Sequence, residues 1–133
     1  MSFRSAEPDT GWTFIVNNGN GRTARIPADF RMVSNATLCT VLSDGKGAVV
    51  ATVEHLLAAL RGLNIDNIEI EIDGDEVPIM DGSAAAFVDA IDEAGTCVLD
   101  EPRRWIKVLK PVRIESGECS AELRPYNGSR YDV

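Results

Sequence analysis

Residues 52–63 combine a helical apolar stripe with the only histidine of the chain, and this stretch constrains the fold most. Its apolar residues recur at the i, i+3, i+4 and i+7 spacing of one helix face: Val53, Leu56, Leu57 and Leu60. The Thr52 hydroxyl is predicted to cap the N-terminus of this helix, and Gly62 is predicted to end it. We therefore expect an amphipathic helix whose first turn carries Glu54 and His55.

Glu54 and His55 could both reach one centre beyond the N-terminus of this helix. The positive end of the helix dipole favours a carboxylate at Glu54 and a neutral imidazole at His55. Neutral imidazole is the form that binds metals, and a neighbouring carboxylate could take a proton from a metal-bound water. The residues alone leave a second interpretation open, which is a capping acid followed by a partly exposed histidine.

Segments with strand character surround this helix. The clearest covers residues 68–73, where isoleucines alternate with acidic residues as in a strand with one buried face. Other predicted strands are residues 12–16, 24–30, 37–42, 48–51, 105–110, 112–115 and 119–123. Residues 17–21 are predicted to be a loop, and a second helix is expected after Ser83, ending near Gly95. This order predicts an α+β fold, a two-layer sandwich with a mostly antiparallel sheet and two helices on one face.

Composition excludes some classes of partner and compartment. The chain has 133 residues and a net charge of −8, which argues against nucleic acids and anionic membranes as partners. No secretory signal or membrane-spanning run is visible. The three cysteines are an odd number and widely spaced, which indicates reduced, buried cysteines of a cytosolic protein rather than a disulfide framework: Cys39, Cys97 and Cys119.

Several sequence blocks resemble the zinc-dependent UDP-3-O-acyl-N-acetylglucosamine deacetylases of lipid A biosynthesis. The most specific are Ala-Thr-Val-Glu-His-Leu at 51–56 with Gly-Leu-Asn-Ile-Asp-Asn-Ile at 62–68, and Pro-Ile-Met-Asp-Gly-Ser-Ala at 78–84. Shorter matches follow the family's order, at residues 26–29, 37–40 and 125–128. The family commonly has a methionine where this chain has Thr37.

The resemblance implies two α+β domains of similar topology with a zinc site in the cleft between them. Residues 1–124 would be the N-terminal domain, and residues 125–133 would begin the linker to a C-terminal domain that this chain lacks. The family's opening strand would precede Met1. We would then expect an unprotected sheet edge, through which the chain could associate with itself.

The resemblance also implies roles for individual residues. His55 would be a zinc ligand, Glu54 the general base, and Leu38 and Cys39 would line the substrate cleft. The second and third zinc ligands, and a further histidine that acts as an acid, would belong to the second domain. The implied reaction, in the cytoplasm, removes the N-acetyl group of UDP-3-O-acyl-N-acetylglucosamine. The alternative is a catalytically incomplete or inactive domain that keeps the fold as a structural or interaction module. In either case the isolated chain is expected to be inactive.

Overall fold

The computed structural model describes residues 1–17 and 23–132, which form two α-helices and nine strands. The loop predicted at residues 17–21 lies, from residue 18 onward, outside the described residues. The chain divides into two compact units, Met1–Glu101 and Pro102–Val133. Among the described residues, no helix has the length and apolar character needed to cross a bilayer.

The first unit holds both helices and seven of the described strands. In chain order they are β1 (Ser2–Ser5), β2 (Trp12–Asn17), β3 (Thr23–Pro27), β4 (Val33–Asn35), β5 (Val41–Ser43), β6 (Val49–Val50), α1 (Glu54–Gly62), β7 (Ile68–Ile72) and α2 (Ala85–Ala94). A short 3₁₀ turn, Phe30–Met32, precedes β4. The second unit contains the hairpin of β8 (Val112–Ser116) and β9 (Cys119–Leu123).

The main sheet has four strands in the order β1–β7–β2–β3. Its central pair, β7 and β2, is parallel, and both outer strands pair antiparallel with their neighbours. A separate three-stranded antiparallel sheet has the order β4–β5–β6. With its two helices, this arrangement confirms the predicted α+β fold.

Alternation along the central strands gives the main sheet two different faces. Phe14 of β2 and Ile70 of β7 pair in register and are completely buried in the core. Leu56 and Leu60 of α1 and Phe87 of α2 belong to the same apolar cluster. The opposite face carries two ion pairs, Arg4–Glu71 at 2.7 Å between the neighbouring strands β1 and β7, and Arg25–Glu69 at 2.6 Å across β2 between β3 and β7. The predicted strand pattern at residues 68–73 is therefore confirmed.

The strand predicted at residues 37–42 is wrong over most of its length, because β5 begins only at Val41. The backbone N–H groups that a ladder would use are bound elsewhere. The Thr37 N–H donates to the Asn35 side-chain oxygen at 2.8 Å, and the Thr40 N–H donates to the Glu54 carboxylate at 3.1 Å. Residues 36–40 consequently form an irregular bend beside the start of α1.

Three further expectations need correction. The sequence indicated no strand before residue 12, yet β1 pairs with β7 from Ser2 to Ser5. The strand predicted at residues 105–110 is wrong, because these residues are irregular chain in the second unit, with Ile106 98% exposed. The cysteines are free, as predicted, but Cys97 and Cys119 are exposed and Cys39 is only half-buried.

Candidate functional site

The N-terminus of α1 is approached through an unusual backbone turn at Thr52. Thr52 has a φ of 58°, and the helix begins at Glu54 with Val53 as its N-cap. The predicted capping role of the Thr52 hydroxyl is wrong, because this hydroxyl donates to the Glu76 carboxylate at 2.7 Å. A β-branched residue rarely adopts this left-handed region, where strain costs about 1–3 kcal/mol and is commonly stored near functional sites.

Glu54 occupies the first position of α1 and is half-buried. Its Oε2 accepts the hydrogen bond from the Thr40 N–H. The carboxylate also lies at the N-terminal end of the helix dipole, which interacts favourably with acidic side chains. The other oxygen lone pairs of an ionised carboxylate can accept a proton, as a general base must. The placement predicted for Glu54 is therefore chemically compatible with its expected role.

His55 is also half-buried and lies near a second acidic side chain, Asp81. The Ser83 N–H and hydroxyl donate to Asp81 Oδ1 at 3.0 and 2.9 Å, and these bonds lower the pKa of the Asp81 carboxyl. The charge of the His55 imidazole contributes a smaller lowering of the same pKa. Asp81 is thus the acceptor of a local turn, and it also lies within electrostatic reach of His55.

The loop that carries Asp81 is a tight turn with unusual backbone geometry. The Gly82 N–H donates to the Ile79 carbonyl at 2.9 Å. Met80, at the second position of this turn, has a φ of 54°. Ile79 and Met80 both expose more than half of their side-chain surface. The loop therefore presents apolar surface directly before the carboxylate that lies near His55.

Leu38 and Cys39, the two residues expected to line a substrate cleft, lie in the bend that leads to Thr40. Leu38 is 97% exposed and Cys39 is half-buried. The hydrogen bond from Thr40 to Glu54 brings this bend to the start of α1. All four residues predicted for the site therefore belong to segments that meet at this helix end, either within α1 or through the Thr40 bond.

Among the described residues, His55 is the candidate ligand of a zinc site. A half-buried imidazole can supply one nitrogen ligand to such a site. A catalytic zinc needs three protein ligands. Within residues 1–17 and 23–132, no group of three or more His, Cys, Asp and Glu side chains could hold a metal ion. Among the described residues, His55 could therefore supply one ligand of such a centre.

A model of the LpxC family, UDP-3-O-acyl N-acetylglycosamine deacetylase, matches residues 1–133. The chain belongs to the LpxC family. A curated UDP-3-O-acyl-N-acetylglucosamine deacetylase of Aliivibrio fischeri is 51% identical over 132 residues, covering 99% of this chain and 43% of the relative. Proteins of the same name from Vibrio cholerae and Photobacterium profundum are 45% and 50% identical, over 99% and 80% of this chain and 43% and 35% of the relatives.

These LpxC relatives are considerably longer than the matched region. The chain spans about 43% of the length of the first of them. This coverage agrees with a resemblance to the N-terminal part of the family. The site roles of Glu54, His55, Leu38 and Cys39 remain predictions.

Sequence reasoning missed three features of this helix end. The hydrogen bond from the Thr40 N–H to Glu54 could not be predicted, because the donor is a backbone group and residue type gives no signal for it. The Thr52–Glu76 bond joins residues 24 positions apart, so local spacing could not reveal it. The nearness of Asp81 to His55 also depends on tertiary structure, although the block at 78–84 that resembles the family contains Asp81.

Proposed function

We propose that this chain is the N-terminal part of a zinc-dependent deacetylase that hydrolyses the N-acetyl group of UDP-3-O-acyl-N-acetylglucosamine in lipid A biosynthesis. The observation that carries this proposal is the pairing of Glu54 and His55 at a half-buried helix N-terminus, in a chain of the LpxC family. His55 would hold the zinc ion by one imidazole nitrogen. The remaining ligands would come from a C-terminal domain outside these residues, because the described residues lack a complete set.

Zinc, when bound, would supply Lewis-acid activation of water and of the amide carbonyl. The carboxylate of Glu54 would take one proton from the attacking water. The Thr40 N–H would hold this carboxylate in place through its hydrogen bond. Cleavage of the amide C–N bond, with one proton passed to the leaving nitrogen, would yield acetate and a free amine on the sugar. We expect Asp81 to favour one orientation of the His55 ring by its charge, and Leu38 and Cys39 to contact substrate.

The activity test uses the full-length protein. We expect Glu54→Gln to lower kcat for acetate release by about 10²- to 10⁴-fold, because a general base contributes on that order. Glu69→Gln is the matched control, since Glu69 is a half-buried carboxylate on the opposite face of the main sheet. His55→Ala should lower the zinc content measured by atomic absorption. Acetate release by Glu54→Gln at the wild-type rate would contradict the proposal.

A second candidate function is a catalytically incomplete domain that serves as a structural or interaction module. The incomplete ligand set within the described residues favours this function for the isolated 133-residue chain. The isolated chain should accordingly release no acetate with zinc present. Release that is abolished both by a chelator and by Glu54→Ala would contradict this expectation and would assign the complete chemistry to these residues.

Two further proposals concern environment and assembly. We infer a cytoplasmic location, supported by three free cysteines, two of them exposed, which suit a reducing compartment. Self-association through a sheet edge is supported by β1 and β3, the outer strands of the main sheet in the described part of the chain. Outer strands offer unpaired backbone groups to another chain. A monomeric mass at all concentrations in light scattering would contradict this second proposal.

A further inference from the structure

Thr52 adopts a backbone conformation that is unfavourable for a threonine. Its φ of 58° is left-handed, whereas two heavy atoms on the Cβ make a threonine one of the residues least suited to that region. The residue is also 7% exposed, so its hydroxyl needs a protein partner. A residue kept in this state must be held by its surroundings, which makes the holding contacts informative.

The segment around Glu76 provides these contacts. The Ala51 N–H donates to the Asp75 carbonyl at 2.8 Å, and the Val77 N–H donates to the Ala51 carbonyl at 3.0 Å. Together they make a single parallel bridge between Ala51 and Glu76. The Thr52 hydroxyl adds a bond of 2.7 Å to Glu76 Oε1. Backbone and side chain therefore hold this turn from the same neighbouring segment.

Both segments continue directly into the candidate site. Thr52 is followed after one residue by Glu54 and then His55, at the start of α1. The other segment passes through the buried Val77 and reaches Asp81, near His55. The hydrogen bond between Thr52 and Glu76 therefore joins the two segments close to the candidate site. One segment then supplies Glu54 and His55, and the other supplies Asp81.

We propose that Thr52 and Glu76 are positioning residues, whose hydrogen bond holds the left-handed turn that aims Glu54 and His55. This inference rests on the proposed deacetylase function. The bond needs an accepting side-chain oxygen from Glu76 and a donating hydroxyl from Thr52. The alternative role is stability alone, in which the bond matters to folding but the helix start stays in place without it.

The experiment measures deacetylation kinetics of full-length variants. Thr52→Val keeps the side-chain shape but removes the hydroxyl, and we expect kcat to fall about 10- to 100-fold with little change in KM, as misplaced catalytic groups typically cause. Thr52→Ser restores the hydroxyl and should recover most of kcat. Glu76→Gln keeps an accepting oxygen and should retain most of kcat.

The matched control is Thr13→Val. Thr13 is buried to the same degree, 8% exposed against 7%, but it lies on the face of the main sheet opposite the core. Its loss should leave kcat unchanged even if the protein becomes less stable. Equal kcat losses in Thr52→Val and Thr13→Val, or a loss that Thr52→Ser does not recover, would overturn the positioning role. If Thr52→Val does not fold, Thr52→Gly replaces it, because glycine adopts positive φ without a Cβ.

A spectroscopic measurement separates this inference from the proposed function. His55 is the only histidine of the 133 residues, so its imidazole resonances can be assigned directly in this chain. We expect Thr52→Val to move these resonances and Thr13→Val to leave them in place. Inactive wild-type protein would refute the proposed function, and the resonances would then decide the positioning role. Resonances unchanged in Thr52→Val would overturn that role whatever the activity.

Discussion

Glu54 has two structural roles, one in α1 and one in the bend before β5. It is the first helical residue of α1, and its carboxylate also receives the Thr40 N–H. That bond removes Thr40 from the strand ladder that the apolar residues around it indicated. A polar contact at the helix start therefore decides the conformation of a neighbouring segment. At this scale, single hydrogen bonds determine the geometry of the candidate site.

Asp29 offers a test of pH dependence at one residue. It accepts from the backbone and the guanidinium of Arg31, and these hydrogen bonds lower the pKa of its carboxyl from 3.8 to about 2. Because the folded-state pKa is lower than the unfolded one, this contribution to stability is complete above about pH 4. It is lost as the pH falls towards 2.

Carbon-13 NMR titration of the Asp29 carboxyl checks this expectation. The midpoint should lie near 2 in the wild-type chain. In Arg31→Ala the side-chain hydrogen bonds and the nearby positive charge are lost, so the midpoint should rise towards 3.8, the ordinary value. A wild-type midpoint already near the ordinary value would show that the pair does not form in solution.

At the scale of elements, α1 ends at Gly62, as the sequence indicated, but the left-handed residue of its C-terminal cap lies two positions later. Gly62 is still helical, and the left-handed residue is Asn64, with a φ of 58°. The Ile65 N–H donates to the Leu60 carbonyl and the Asn64 N–H to the Arg61 carbonyl, the two bonds of a Schellman motif. Asparagine tolerates this conformation better than most other non-glycine residues, which explains why the left-handed position of the cap can be Asn64 instead of Gly62.

Substitutions at Asn64 and Gly62 should have opposite signs. Asn64→Gly and Asn64→Ala both remove the side-chain amide, so the difference between their free energies of unfolding reports the backbone conformation alone. The alanine variant should be less stable than the glycine variant by about 1–2 kcal/mol. Gly62→Ala should stabilise by about 0.5–1 kcal/mol, because the position is helical and no atom lies within 4 Å of an added Cβ. Urea denaturation measures all three. Equal stability of the two Asn64 variants would contradict the motif.

The elements divide into those that periodicity predicted and those that it did not. The helical period of three to four residues predicted both helices. The strand period of two predicted β2, β7 and the strands β8 and β9. The structure confirms each of these elements. Residues 105–110 have a strand-like composition, yet their chain is irregular and Ile106 is exposed. β1 has little alternation and forms because β7 offers an edge with which it pairs, supported by the Arg4–Glu71 ion pair. Pairing of this kind depends on a partner that is distant in sequence.

At the scale of the whole molecule, stability is concentrated in the core of the first unit. Ile70 lies on the central strand β7, is completely buried and belongs to the single described cluster that joins sheet and helices. We expect Ile70→Ala to reduce the free energy of unfolding by about 2–5 kcal/mol, because it leaves a cavity among side chains from several elements.

Ile114 provides the matched control for this prediction. It lies in β8 of the second unit and is 69% exposed, so Ile114→Ala should change the free energy of unfolding by no more than about 0.5 kcal/mol. Urea denaturation followed by the fluorescence of Trp12, which packs against the core, measures both variants. A comparable loss in the two variants would show that the first-unit core is not the main source of stability.

The sequence by itself determined the α+β class, the faces of α1 and β7, and the candidate pair Glu54 and His55, because helix and strand periods and short motifs are local properties. Tertiary structure alone decided that Thr40 binds Glu54, that Thr52 binds Glu76 and that Asp81 lies near His55. The two hydrogen bonds join residues 14 and 24 positions apart, and His55 and Asp81 are 26 positions apart in the sequence. Their formation depends on how the sheet and helices pack, since packing brings donors and acceptors together that no local pattern pairs.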